Sequence, residues 1–258
     1  MKKFEDDVFF SYTNYEQLVG LKKLKFIIAA IQNYVFKVNK NLDRLSVLEI
    51  GCGEGNITVP LASLGCLTRA FDINEKAVAQ LRTKIKEKNF QNVIVSVDDG
   101  YTFDDGRQYD IVIASEVLEH LKDPNRLLAN ISRRMRRGSY FIVTVPNGFG
   151  PWELRNRLFG SSLYYSNTIR KMRGCPSFRK ALGQEHLQFY RRSQLLHMLS
   201  RFSFSLIDFS NADSFFAALW IPISKPNKQL ERIDINLADL LPYWCASGWL
   251  LLFEKNQD

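Results

Sequence analysis

VLEIGCGEGNIT, residues 47–58, is an apolar run that carries an acid, Glu49, and then places glycines at 51, 53 and 55. Three glycines so close together mark a backbone that turns where side chains are excluded and where something approaches it closely. The run before them has the length and composition of a buried strand. A strand that ends in such a turn and leads into a helix is the ligand-bearing junction of an open α/β sheet, and the positive end of that helix points at the same place.

The surrounding sequence agrees. Short apolar runs at Val47–Ile50, Leu67–Phe71, Val93–Val97, Asp110–Ser115 and Tyr140–Val145 alternate with helical stretches, the pattern of a mostly parallel sheet with helices on both faces, a Rossmann-like α/β three-layer sandwich. NEKAVAQLRTKIKEK (74–88) carries the stripe Val78, Leu81, Ile85. In DPNRLLANISRRMRRG (123–138), Asp123 can cap, Pro124 fits the first helical position, and Leu127, Leu128, Ile131 and Met135 form the buried stripe of a helix expected to end at Gly138.

Upstream, Leu18, Leu21, Leu24, Ile28, Ile31, Val35 and Val38 recur at helical spacing, so residues 1–44 read as a helical cover for the sheet. After Pro146 the alternation stops, then resumes with a helix near Ser193–Arg201 and strands at Phe204–Phe209 and Gly248–Phe253. The pieces between, 148–190 and 211–246, read as lid or substrate insertions in a single domain spanning 1–258; they hold too many aromatic residues for disorder.

Composition narrows the class. A chain of 258 residues, 46% hydrophobic, can bury one large core. Cys52, Cys66, Cys175 and Cys245 are far apart and suggest neither a zinc site nor a disulfide framework. MKKFEDDVFF has acids where a signal peptide needs an apolar stretch, so a cytoplasmic protein is expected. The net charge of +8 raises nucleic acid or an anionic membrane as partners.

The glycine spacing discriminates between cofactors. A dinucleotide fingerprint wants G-x-G-x-x-G, but Asn56 stands where the third glycine should be, which favours S-adenosylmethionine over NAD. Asp72 ends the second strand, where a carboxylate can accept from both hydroxyls of a ribose. Asp98 follows the third strand, whereas Asp110 reads as structural.

VLEIGCGEGNIT, AFDIN, VDDGYTF and YDIVIASEVLEHLKDPNRLL together resemble the successive motifs of class I S-adenosylmethionine-dependent methyltransferases, in particular the small-molecule group that includes the ubiquinone and menaquinone biosynthesis methyltransferases. The resemblance covers residues 45–147 strongly and the remainder loosely. It implies a seven-stranded sheet whose last strand, Gly248–Phe253, runs antiparallel. It also assigns Glu49 and the backbone of Gly51 and Gly53, in the turn with Cys52 and Gly55, to the methionine portion. Asp72 then takes the ribose hydroxyls, Ile73 packs on the adenine, and Asp98 or its neighbour Asp99 accepts from the adenine amino group. Ser115 and Glu116 lie beside the methionine amino group.

A sulfonium methyl donor is already activated, so the protein mainly aligns the acceptor and excludes water, with a general base where the acceptor holds its proton tightly. His186 follows the first insertion and is the first choice for that base; His120 lies just past the fourth strand and is the second, with Glu185 and Tyr190 behind them. His197 reads as structural. No metal site is expected: Glu116, Glu119 and His120 have the right chemistry but are ordinary at a helix start.

From Gly150 to Arg192 there are nine lysines and arginines against two acids, interleaved with aromatic residues. A lid over a small, anionic acceptor ranks first, with methyl transfer to an oxygen. A lipid-linked or isoprenoid acceptor at a membrane surface ranks second, and RNA third. A non-catalytic cofactor-binding regulator is the alternative outside enzymology.

Overall fold

In the computed structural model, residues 18–151, 186–214 and 228–258 are described. The stretches 152–185 and 215–227 of the two insertions, with Cys175, Glu185 and most of their aromatic residues, lie outside the described residues, as do residues 1–17.

The chain runs α1 (Leu18–Val38), β1 (Ser46–Ile50), α2 (Thr58–Ser63), β2 (Leu67–Asp72), α3 (Glu75–Glu87), β3 (Val93–Val97), β4 (Tyr109–Ser115), α4 (Pro124–Arg133), β5 (Met135–Pro146), α5 (Arg192–Ser200), β6 (Phe204–Asn211), α6 (Lys228–Ala238) and β7 (Gly248–Lys255). The seven strands order as β3-β2-β1-β4-β5-β7-β6. Pairing is parallel from β3 to β5, while β7 is antiparallel to both neighbours, as the resemblance implies.

The central strands β1, β4 and β5 are mostly apolar because both of their faces are covered. Adjacent residues go to opposite sides: Leu48, Val112 and Phe141 join one core with Leu127, Leu128 and Leu195 of α4 and α5, whereas Val47, Ile111, Ile113 and Ile142 join another with Ile27, Ile31 and Tyr34 of α1. Helix α1 is therefore the expected cover, although Val38 at its end is exposed. Helix α6, inside the second insertion, meets α1 through Lys22, whose Nζ donates to the Ile235 carbonyl at 3.3 Å and lies 2.8 Å from a carboxylate oxygen of Asp239, just past the helix. Asp110 is structural: it accepts from the Ser46 amide (2.8 Å), the Ser46 hydroxyl (2.9 Å) and Lys40 (2.6 Å).

One expected boundary is corrected. Helix α4 ends at Arg133, not Gly138, and Met135 opens β5 opposite Tyr109. The Arg134 amide turns back to Ile131 and Ser132, and its carbonyl accepts from the Tyr109 amide at 2.8 Å. Strand pairing here overrides the high helix propensity of SRRMRR.

Candidate active site

All parallel strands end at one edge of the sheet, so the chain just past Ile50, Asp72, Val97 and Ser115 forms a continuous border there. The glycine turn is sewn onto the end of β2. Gly51 and Cys52 donate to the Phe71 carbonyl at 2.9 and 3.0 Å, and Gly53 donates to Asp72 Oδ2 at 2.8 Å. Asp72 Oδ1 accepts from the Asn74 amide at 2.8 Å. An ionised carboxylate has about four acceptor positions, so each Asp72 oxygen keeps capacity for a further donor. Ile73 beside it is 70% exposed, an apolar side chain held out over the same border.

The three glycines have different reasons. A Cβ on Gly51 would lie 2.6 Å from Val117 Cγ2, and one on Gly55 would lie 2.2 Å from Leu81 Cδ1; at both, the protein itself fills the space. At Gly53 a Cβ would meet no heavy atom within 4 Å, so the turn faces open space there. All three have positive φ. Gly53→Ala is accordingly expected to fold with a loss of about 1–2 kcal/mol for its left-handed backbone, whereas Gly55→Ala adds an overpacked methyl to the same strain. Thermal unfolding should rank Gly55→Ala as clearly the less stable; the reverse order would contradict this division. Helix α2 after the turn has only six residues, so its dipole contributes less than the sequence suggests.

Glu49 is buried beneath the turn and accepts from the Thr58 hydroxyl. Burial pushes its carboxyl up to about 8; the Thr58 hydroxyl opposes this and the charge of Asp72 adds to it. A nearby cation would restore its ionisation.

Asp98 accepts from Ser96 and lies 3.5 Å from the Arg69 guanidinium, while its amide donates to the Asp72 carbonyl at 3.2 Å. Asp99 is exposed and closes the next turn through the Tyr101 amide at 2.9 Å. Ser115 and Thr144 share a 2.9 Å hydrogen bond across β4 and β5. Glu116 follows at φ +56°, accepting from Thr144 at 2.8 Å and from Lys23 of α1 at 2.9 Å. Burial raises the Glu116 carboxyl, but Lys23 outweighs it and the group lies below its ordinary value.

Past β4, a 3-10 turn spans Leu118–His120. The Glu119 carbonyl accepts from the amides of Leu187 and Gln188 at 2.8 and 2.9 Å. Tyr190 donates its hydroxyl to the Leu118 carbonyl at 3.0 Å. These tethers set His186 against His120, ring centroids 5.2 Å apart. Tyr190 is buried in this structural role, and burial raises its phenol, which removes it as a base. His197 lies exposed on α5.

Glu119, weighed in the sequence only as a metal ligand and set aside as ordinary at a helix start, is buried beside the histidines. It is 1% exposed, with the Glu116 carboxyl beside it. Burial, then the charge of Glu116, holds its carboxyl well above the ordinary value. Glu119, His120 and His186 each bring a ligand atom within 4.8 Å of the others, a donor set that could hold a divalent cation. Where the sequence offered Glu116 as the third ligand, Lys23 holds that residue and His186 takes its place.

The family model described as a methyltransferase domain matches residues 23–208. A ubiquinone biosynthesis O-methyltransferase of Rickettsia akari is 29% identical over 126 residues, 48% of each chain; the chain spans about half the length of the curated relatives it matches. Among solved structures, magnesium protoporphyrin IX methyltransferase from Synechocystis PCC 6803 with bound SAH is similar in fold, with TM-score 0.53, 17% identity, and 88% and 82% of the two chains covered. An S-adenosylmethionine-dependent methyltransferase from Methanosarcina mazei gives TM-score 0.57 at 16% identity, covering 88% and 97%. A glycine turn fastened to Asp72 at the carboxyl edge of this sheet, matched by a family model over most of the chain's length, makes the chain a member of the methyltransferase-domain family.

Proposed function

We propose that the protein transfers a methyl group from S-adenosylmethionine to an oxygen of a small-molecule acceptor. The observation that carries the reading is the open space at Gly53 beside Asp72, whose carboxylate is fixed by two backbone amides yet keeps lone pairs for the hydroxyls of a ribose. S-adenosylmethionine supplies an activated methyl on its sulfonium. Glu49 and Glu116 offer carboxylates to its amino group, Ile73 offers an apolar surface to its adenine, and one of Asp98 and Asp99 accepts from the adenine amine. His186 takes the proton from the acceptor hydroxyl, with His120 and the buried Glu119 beside it. The choice of oxygen is supported by the names of the curated relatives, which are O-methyltransferases.

A lipophilic acceptor is a second reading, and a specific observation favours it. Phe149, Leu187 and Phe189, at the His186 segment, are 47%, 48% and 40% exposed, an apolar surface with the Arg191 guanidinium 4.5 Å from the Phe149 ring centroid. Among the described residues no helix is long and apolar enough to cross a membrane, so such an acceptor would reach these side chains from a surface.

Incubating the protein with methyl-labelled S-adenosylmethionine and a cell extract split into water-soluble, lipid and nucleic-acid fractions tests both. Label is expected in the water-soluble fraction; label in lipids moves the assignment to the second reading, label in nucleic acid moves it to RNA, and label in none of the three, with cofactor bound, would leave a cofactor-binding regulator.

A further inference from the structure

A second cavity opens at the carboxyl end of the edge strand β6, three strands from β4 in the sheet order, or about 14 Å along the sheet. It has a volume of about 530 Å³ and is lined by Arg192, Phe209, Asn211, Asp239, Leu241 and Tyr243, together with Ser210, a size that suits a small organic ligand. Neither the glycine turn nor the histidine pair reaches it.

Its charges do not cancel. Asp239 is already matched by Lys22 at 2.8 Å and by the Ser210 hydroxyl at 2.8 Å. Arg192 has no carboxylate within ion-pair distance among the described residues, and its guanidinium lies 5.0 Å from the Phe209 ring centroid and 5.2 Å from that of Tyr243. Two rings thus hold a planar cation in place without neutralising it.

The walls also contain unmet polar atoms. Asn211 is 3% exposed; its amide nitrogen donates to the carbonyls of Ala238 (2.7 Å) and Leu241 (3.0 Å), which fixes its orientation and leaves Oδ1 without a partner. Arg192 Nε is likewise buried and unpartnered. A buried orphan donor costs stability that an acceptor on a ligand restores.

From the uncompensated fork, the two rings and the unmet Arg192 Nε, we infer that the cavity binds a small planar carboxylate. The carboxylate meets the Arg192 fork, and the flat body lies against Phe209, Tyr243 and Leu241. This binding does not depend on the methyl-transfer reading and is tested without turnover.

The probe is benzoate, with cyclohexylammonium as a cation of similar bulk. In the intact protein, benzoate is expected to protect Arg192 from modification by phenylglyoxal, read by peptide mass spectrometry, while cyclohexylammonium does not. By calorimetry, Arg192→Gln should weaken benzoate at least about tenfold, and Arg192→Lys should restore little of it, since a point charge lacks the fork. Absence of protection, equal protection by the cation, or unchanged affinity in Arg192→Gln would each overturn the proposal. The protection arm uses the unaltered chain and stands even where a variant fails to fold.

Discussion

Asp72→Ala is expected to weaken S-adenosylmethionine binding by on the order of 1–3 kcal/mol, roughly 5- to 150-fold in Kd. Two losses combine. The ribose loses its acceptor, and the glycine turn loses the contact from Gly53 at 2.8 Å that fixes it to the end of β2. Calorimetry measures the first, and the unfolding temperature without ligand reports the second. An unchanged Kd would refute the ribose role, whatever happens to stability.

The same substitution has a pH signature. Glu49 titrates at about 8 in the folded protein against an ordinary value of 4.5, in part because Asp72 is charged. A carboxyl raised on folding stabilises the protein while it is protonated, and that contribution is lost as pH rises from about 4.5 through 8. In Asp72→Ala the decline should therefore finish at lower pH, visible as a flatter unfolding profile above neutrality. An identical profile would mean that burial alone raises Glu49.

What the sequence disclosed and what it hid follow from how each feature is held. The central strands were legible because β1, β4 and β5 are buried on both faces and read as mostly apolar runs, and α1 was legible because only one stripe of it packs. The end of α4 was not, since Ser132–Arg137 is a sequence that helices accept and only the partner Tyr109 makes Met135 a strand residue. The three glycines looked alike, yet Val117 and Leu81, distant in sequence, explain two of them. The approach of His186 to His120 depends on a backbone carbonyl at Glu119 meeting backbone amides at 187 and 188. Backbone pairs between residues so far apart in sequence, with α4 and β5 between them, leave no periodicity to read. The burial of Glu119 follows from that same closure.

His186→Ala is the other large effect. As general base, His186 is expected to contribute about 10²- to 10⁴-fold to kcat, and its removal should leave S-adenosylmethionine affinity within about twofold, because the ring lies with His120 and Glu119 rather than on the glycine turn. A fall in kcat without a change in cofactor Kd marks a group acting on the acceptor proton. Equal turnover would reduce His186 to a packing residue of its segment. The triad's other capacity is separated by chelation. With His186 as a base, EDTA should leave turnover within about twofold. Loss of turnover restored by Mg²⁺ or Mn²⁺ would instead assign Glu119, His120 and His186 to a divalent cation. The burial of Glu119 gives that alternative its physical form: its carboxyl lies 3.8 Å from His120 Nε2 and is held well above its ordinary value by burial and by the charge of Glu116, and a cation placed between it and the imidazoles would favour its ionised form.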